Sequence, residues 1–320
     1  MNKKAHISGI CFSIIFGFSF MMSKIALEYV SPIGLIAYRF LLAFLVFEIL
    51  RITKVIKIRI KHNEIWSILL VALCQPVAYF LFETFGLSLS TSAEAGLMIA
   101  LIPIFVTILS VVILKEKPVK LQVFFIILSV SGVLFIQLFK TGLSFESSSL
   151  GFALLLLAVI SAALFNIASR NAAKHHKPHE ITYLMMLLGA VSFNLIYVIE
   201  LILNNNLNRY FSNLGNLSVV LPIAYLGVIA SIIGFFLVNY SLSKLPAHIS
   251  SIYSNIATIV AVIAGAVFLQ EQLYFYHIIG GIMIISGVYG AARINYLRNK
   301  KKNDKNHRII PQVNQGNSSN

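Results

Sequence analysis

Residues 86–117, GLSLSTSAEAGLMIALIPIFVTILSVVILKEK, and residues 241–272, SLSKLPAHISSIYSNIATIVAVIAGAVFLQEQ, are one motif written twice. A shift of 155 positions, without a gap, pairs Leu87-Ser88 with Leu242-Ser243, Ile104 with Ile259, Ile108 with Ile263 and Val112 with Val267. The register carries on to Ser131-Gly132-Val133 and Ser286-Gly287-Val288. The endings differ in charge: Glu116 is kept as Glu271, whereas Lys115 and Lys117 become Gln270 and Gln272. Membrane proteins hold their lysines on the cytoplasmic side. A loop that keeps its lysines in one copy and loses them in the other reads as inside in the first copy and outside in the second. The two halves are therefore expected to be inverted copies, a plan common among secondary transporters.

The composition supports the membrane half of that reading. Hydrophobic residues make up 58% of the 320 positions and charged residues 11%, against about 25% charged in an average soluble domain. With a mean hydropathy of +0.86, the chain lacks the polar groups to cover its surface in water. The net charge of +14 would suit nucleic acid, but the basic residues sit between apolar runs and at the C-terminus, which argues against such a partner. Cys11 and Cys74 both lie in apolar runs and make no disulfide framework. Lys3-Lys4 before an apolar run resembles a signal peptide, yet no A-x-A site follows and Lys24 lies in the same segment, so an uncleaved first span is expected.

Apolar segments of about 20 residues can cross a bilayer as helices. They fall near 7–27, 32–51, 65–87, 91–113, 119–138, 149–170, 180–203, 217–241, 246–269 and 275–294, with shallow breaks at 88–91 and 242–246. Pro32, Pro118, Pro178 and Pro246 stand near the starts of spans, where proline is tolerated. With the N-terminus in the cytoplasm, 21 of the Lys and Arg residues fall inside, and only Lys140 and Arg209 outside; Lys24 and Arg39 lie within spans. That asymmetry supports the orientation. Five spans per half, an odd number, force the second half to enter from the opposite face. The fold expected is an all-α polytopic membrane protein with ten transmembrane helices in two inverted five-helix repeats.

The stretch FGFSFMMSKIALEYVSPIGLIAYRFLLA (16–43), with the two motif copies above, resembles EamA-type proteins of the drug/metabolite transporter superfamily. The family's opening tryptophan is Phe16 here, and the second copy carries Thr258 where the first has Pro103. The resemblance covers roughly residues 5–295. It implies EamA-like repeats at 1–138 and 149–296, an extracellular linker at 139–148 and both termini cytoplasmic. It implies a multi-pass protein of the cell membrane that exports or exchanges small metabolites such as amino acids. The basic stretch 297–320 lacks hydrophobic periodicity and is expected to be a disordered cytoplasmic tail, able to touch anionic lipid.

A charge at the centre of a membrane helix costs at least about 2.5–3.5 kcal/mol on insertion scales, so it should face protein or water. Lys24 and Glu28 close the first span, and Arg39 lies about 10 Å into the second at 1.5 Å per residue. Glu83 and Glu94 lie just below the outer ends of the third and fourth. All five converge on the outer part of the bilayer, as an extracellular-side gate or substrate-charge site, or as a static ion-pair cluster holding four helices. The shift of 155 places Val238 and Ile249 opposite Glu83 and Glu94, so charge is confined to one half, which suits a substrate with one charged end.

Gln75, Tyr79 and Glu83 recur every four residues, as expected of one polar stripe on the third helix. His248, Ser251 and Asn255 make a similar stripe on the ninth, with Ser254 beside it. Asn166 and Asn239 are amides at buried depth that need partners, and Tyr253 is placed to stack on a planar substrate. As a set these residues fit a polar cavity, the arrangement the resemblance implies; singly, each fits an interhelical hydrogen bond worth about 0.6 kcal/mol. Gly9, Ser13 and Gly17, and Ala257, Ala261 and Gly265, are small residues at a spacing that lets helices approach closely. Glu116 and Glu271 are expected to pack on or cap the next helix, or to latch a gate. His175-His176-x-x-His179 has metal-ligand character but reads as a solvated loop.

No cofactor or metal is implied. There is no G-x-x-x-x-G-K-[ST] for a P-loop and no H-E-x-x-H. The only aspartate is Asp304, so an intramembrane aspartyl enzyme is excluded, and His248 among Ser250, Ser251 and Ser254 is the only trace of a serine hydrolase. A sensor or scaffold would need a reader domain that the sequence does not encode. The partners expected are a small-molecule metabolite and membrane lipids, with protons as a coupling ion and a second copy in a homodimer as further options.

Overall fold

The computed structural model describes residues 3–59, 65–89, 98, 101–141, 149–268 and 274–316. Among these, all regular structure is helical. Eight helices are long and apolar enough to cross a membrane. They are α1 (Lys3–Leu27), α2 (Pro32–Ile52), α3 (Ile65–Gly86), α6 (Ser149–Ala172), α7 (Pro178–Leu203), α8 (Leu217–Lys244), α9 (Ala247–Phe268) and α10 (Phe275–Gly316), the last apolar as far as Arg298. Two shorter apolar helices, α4 (Ile102–Val112) and α5 (Lys120–Thr141), stand between α3 and α6. The protein is a multi-pass membrane protein whose large exposed side chains, Trp66, Val112, Leu203 and Ile278 among them, present an apolar surface to lipid.

Local chemistry sets the helix starts. Ser31 caps α2, its hydroxyl accepting from the Gly34 amide at 3.1 Å, with Pro32 as the first helical residue. Proline fits there because its missing N–H would have no partner in any case. Pro178 opens α7, where Glu180 reaches back to the Lys177 amide at 2.9 Å, and Asn216 caps α8. The break expected near 242–246 is a turn through extended Leu245 and Pro246.

Three helices are not continuous α-helix. In α3, Gln75 is extended (φ −151°, ψ 121°) and the turns over Leu73–Ala78 widen around Pro76. Proline lacks the N–H for the ladder and collides with the preceding turn. In α8 the turns widen over Tyr225–Gly234, just after Pro222. In α9 the first segment ends at Ile252 and a second begins at Ser254. At the C-terminus the backbone of α10 is helical to Gly316. Between Gly290 and Pro311 no residue breaks a helix, and Lys, Arg and Leu all favour one.

The most extensive packing joins one of α1–α5 to one of α6–α10, and α8 packs in addition on α7 and α6 of its own half. α2 lies on α7, α5 on α10 and α4 on the first segment of α9; α1 packs on α9 and α8, and α6 on α4 and α3. Small residues make the closest approaches. A side chain at Gly280 would meet the Gly132 carbonyl at 2.6 Å, so α5 and α10 touch backbone to backbone. One at Gly9 would meet the Tyr253 ring at 2.7 Å, and one at Gly17 the Ala257 carbonyl at 2.9 Å, so the Gly9-Ser13-Gly17 stripe seats α1 on α9.

Candidate functional site

The site is built around Arg39, two turns into α2. Its residue is 7% exposed, and Nε donates to the Ser231 hydroxyl at 2.7 Å. The guanidinium carbon lies 5.1 Å from the Phe80 ring centre and 5.5 Å from that of Phe40. Among the described residues the Nη groups make no hydrogen bond, so within that set the fork is held at its stem alone. Opposite stand Tyr79 and Glu83 on α3, the phenol donating to Glu83 Oε1 at 3.3 Å. Arg39 is within electrostatic range of both, but the ion pairs among the described residues are Arg51–Glu48 and Arg170–Glu116. Tyr79 and Glu83 are half-buried. A cation and an anion held apart in this way can receive a solute that carries the complementary charges.

Both flanks of this site lie where a helix departs from α geometry. The shift of 155 carries 73–78 onto 228–233, inside the wide-turn stretch of α8, and Pro76 onto Ser231. Wide turns inside helices occur frequently at functional sites. Beside Arg39, Tyr38 donates to the Tyr210 carbonyl, and the Tyr38, Tyr197 and Tyr210 rings meet at 5.4–5.7 Å. Tyr210 donates to Asn194 Oδ1, and Asn194 Nδ2 donates to the Ala37 carbonyl at 3.1 Å. The connection between α7 and α8 is thereby drawn over α2. Burial pushes the Tyr210 phenol above its ordinary range, so it stays a neutral donor.

The other sequence candidates separate. Gln75 is displaced from the Tyr79–Glu83 stripe, because Pro76 interrupts the helix that would have aligned them. Asn239 is a tie: Oδ1 accepts from Ser169 at 2.6 Å and Nδ2 donates to Thr182 at 3.0 Å, joining α6, α7 and α8. Asn166 donates to the Ala162 carbonyl of its own helix at 2.8 Å. Tyr253 does not offer a free ring face: its hydroxyl bonds His6 Nδ1 at 2.6 Å, and its ring covers Gly9. Asn255 donates to Ser129 of α5 at 3.1 Å, and the stripe it was to share with His248 is broken at Tyr253. His248 is 2% exposed, and neither ring nitrogen has a protein hydrogen-bond partner among the described residues.

Glu28 is exposed, and the described ion pairs do not include it. The Lys24 side chain, Glu94 and Glu271 lie outside the described residues. Glu116 does cap a helix, but it is α9 rather than the next one: its Oε2 accepts from the Ala247 amide at 3.0 Å, while Gln122 accepts from the Val119 amide ahead of α5. Among the described residues no three metal-ligating side chains gather; His179 Nε2 lies 3.2 Å from the Lys57 carbonyl. Ser231, Tyr38, Asn194 and Tyr210 escaped the sequence reading, since a single hydroxyl or amide in an apolar run has no periodic signature. The one available signal was that Ser231 is the repeat mate of Pro76.

The chain matches the EamA-like transporter family over residues 3–138 and 149–293. It is 39% identical over 299 residues to the uncharacterized transporter YcxC of Bacillus subtilis (strain 168), covering 93% of this chain and 95% of that protein. It is 22% identical to a probable amino-acid metabolite efflux pump of Escherichia coli (strain K12), covering 90% and 95%. A crystal structure at 16% identity superposes with a TM-score of 0.75, covering 90% of this chain and 98% of that one, which shows a shared fold.

Proposed function

This chain belongs to the EamA-like transporter family, and we propose that within it the protein is a ten-helix secondary transporter that exports or exchanges small metabolites such as amino acids by alternating access. It is a transporter and not an enzyme, and its substrates are small molecules in a lipid setting. Two five-helix repeats, 1–138 and 149–296, face each other with opposite orientation, joined by an extracellular linker at 139–148. Both termini lie in the cytoplasm, where the basic tail from 297 is able to touch anionic lipid.

The helix pairing supports this plan. Exchange of each helix with the one five later turns α2–α7, α5–α10 and α4–α9 into themselves, α1–α9 into α6–α4, and α3–α6 into α8–α1. That is the contact pattern of a two-fold relation between halves. An odd number of spans per half makes the relation an inversion across the membrane, and one half rocks on the other around the enclosed site.

The observation that carries the assignment is the buried Arg39 fork, bonded through Nε to Ser231, with no Nη hydrogen bond among the described residues and with Tyr79 and Glu83 in electrostatic range. A carboxylate is the natural partner of such a fork, and Glu83 is placed for the amino end of the same solute. Glu83 is also the residue through which protons would couple. The test is transport of amino acids by purified protein in vesicles, with and without a pH gradient. Arg39→Ala is expected to reach the membrane and lose transport, and Glu83→Gln to lose any response to the gradient. Full activity in Arg39→Ala would discard the assignment. Wild-type transport indifferent to the gradient would favour a uniporter or exchanger.

A further inference from the structure

The second polar cluster lies at the end of the bundle away from Arg39, and the function proposed above leaves it unused. Between α4 and α5 the chain turns sharply, with Lys115 at φ 56°, a left-handed conformation that L side chains rarely adopt. The turn is held by the Glu116 amide, which donates to the Ser110 carbonyl at 3.0 Å. This bend sends the Glu116 carboxylate out of its own repeat. Oε1 accepts from Arg170 Nε at 2.9 Å, at the end of α6, and Oε2 accepts from the Ala247 amide at 3.0 Å, at the start of α9. Arg170 is anchored in turn, Nη1 donating to the Leu242 carbonyl of α8 at 3.0 Å. Arg298 of α10 donates to the Lys117 carbonyl at 2.8 Å.

One side chain of the first repeat thus grips two helices of the second, and through Arg170 a third. Among the described residues it makes the only ion pair between the two, because Arg51–Glu48 lies within one helix. Its members keep 24% and 22% of their side-chain surface, so water can replace the contact when it opens. Directly beneath, in the first turn of α9, His248 is buried without a protein partner among the described residues, in the field of Glu116, Arg170 and Arg298. A buried, unpartnered imidazole disfavours the closed arrangement, and hydration on opening would relieve it. The carboxylate clasp favours closure. Strained turn, breakable clasp and orphaned ring set two opposed terms at one place, as a near-balanced two-state element requires.

We infer that Glu116, Arg170 and His248 form the gate at the cytoplasmic mouth of the transport path, shut in this structure, with the clasp holding it shut and His248 biasing it open. The inference rests on the proposed alternating access between the two repeats.

The test uses full-length protein, with Cys11 and Cys74 replaced by Ala, in oriented vesicles. One reporter cysteine is placed at Ser251, one turn deeper than His248, and another, in a separate protein, at Thr84 beside Glu83. Each is labelled with a membrane-impermeant maleimide from its own face. Glu116→Gln and Arg170→Leu are expected to speed labelling at position 251 from the cytoplasmic face about tenfold and to slow labelling at position 84 from the outside. His248→Leu should move both rates the opposite way, and Glu116→Arg with Arg170→Glu should return them toward wild type. A static tie would lose thermal stability without the reciprocal change at position 84, and that result overturns the gate, as does unchanged labelling at both positions. Solute flux in the same vesicles is read separately. Flux without reciprocal labelling removes the gate alone, whereas reciprocal labelling without flux of any metabolite tested keeps the gate and removes the transport reading.

Discussion

At the scale of single residues, Arg39 and Asn239 look alike in the sequence, each a polar residue deep in an apolar span. Their hydrogen bonds separate them. Asn239 is fully buried and places both its carbonyl and its amide in bonds to α6 and α7. Arg39 spends Nε on Ser231 and leaves its tip open among the described residues. Asn239→Ala is therefore expected to behave as a structural lesion. It strands the buried Ser169 hydroxyl, costing about 1–3 kcal/mol, which should appear as a lower melting temperature in detergent with the order of substrate preference unchanged. A changed preference at unchanged stability would move Asn239 into the substrate path.

At the scale of elements, the starts of α2, α7 and α9 were legible, because Pro32, Pro178 and Pro246 each stand where a missing N–H does no harm. The interruptions inside α3 and α8 were less so. Pro76 and Pro222 are visible in the sequence, but membrane helices tolerate proline when neighbours satisfy the freed groups, so the residue alone does not say whether the helix bends, widens or continues. The small-residue motif Ser131-Gly132-Val133 was legible as a repeat, and its partner was not. The structure sets Gly132 against Gly280. Gly280→Val would force a side chain into the Gly132 carbonyl and should destabilise the α5–α10 contact by about 1–3 kcal/mol, seen as a fall in melting temperature. Gly281, which has open space around its Cβ position, is the matched control and should tolerate alanine.

At the scale of the whole molecule, the pairing of helices and the loop charges make one joint prediction. A reporter inserted in the connector at 115–117 is expected to face the cytoplasm, and one inserted at 142–146 the outside. Impermeant labelling of intact cells and of broken cells distinguishes the two. Both reporters on one face would remove the fifth crossing and, with it, the inverted relation of the repeats. The cross-repeat clasp of Glu116 belongs to this scale too. Capping was legible from a carboxylate just past the end of a span, but its target was not, since Ala247 lies 131 positions away.

The sequence by itself determined that this is a multi-pass membrane protein of a transporter family and where most of its helices begin. Those properties belong to contiguous stretches: apolar length, a proline at a helix start, a motif repeated in register. Only the tertiary structure decided which deep polar residues are bonded to other helices among the described residues, that Tyr253 is covered by α1, and that Glu116 grips the opposite repeat. A hydrogen bond depends on atoms brought within about 3 Å by helices far apart in the chain, and no local pattern of residues records that distance.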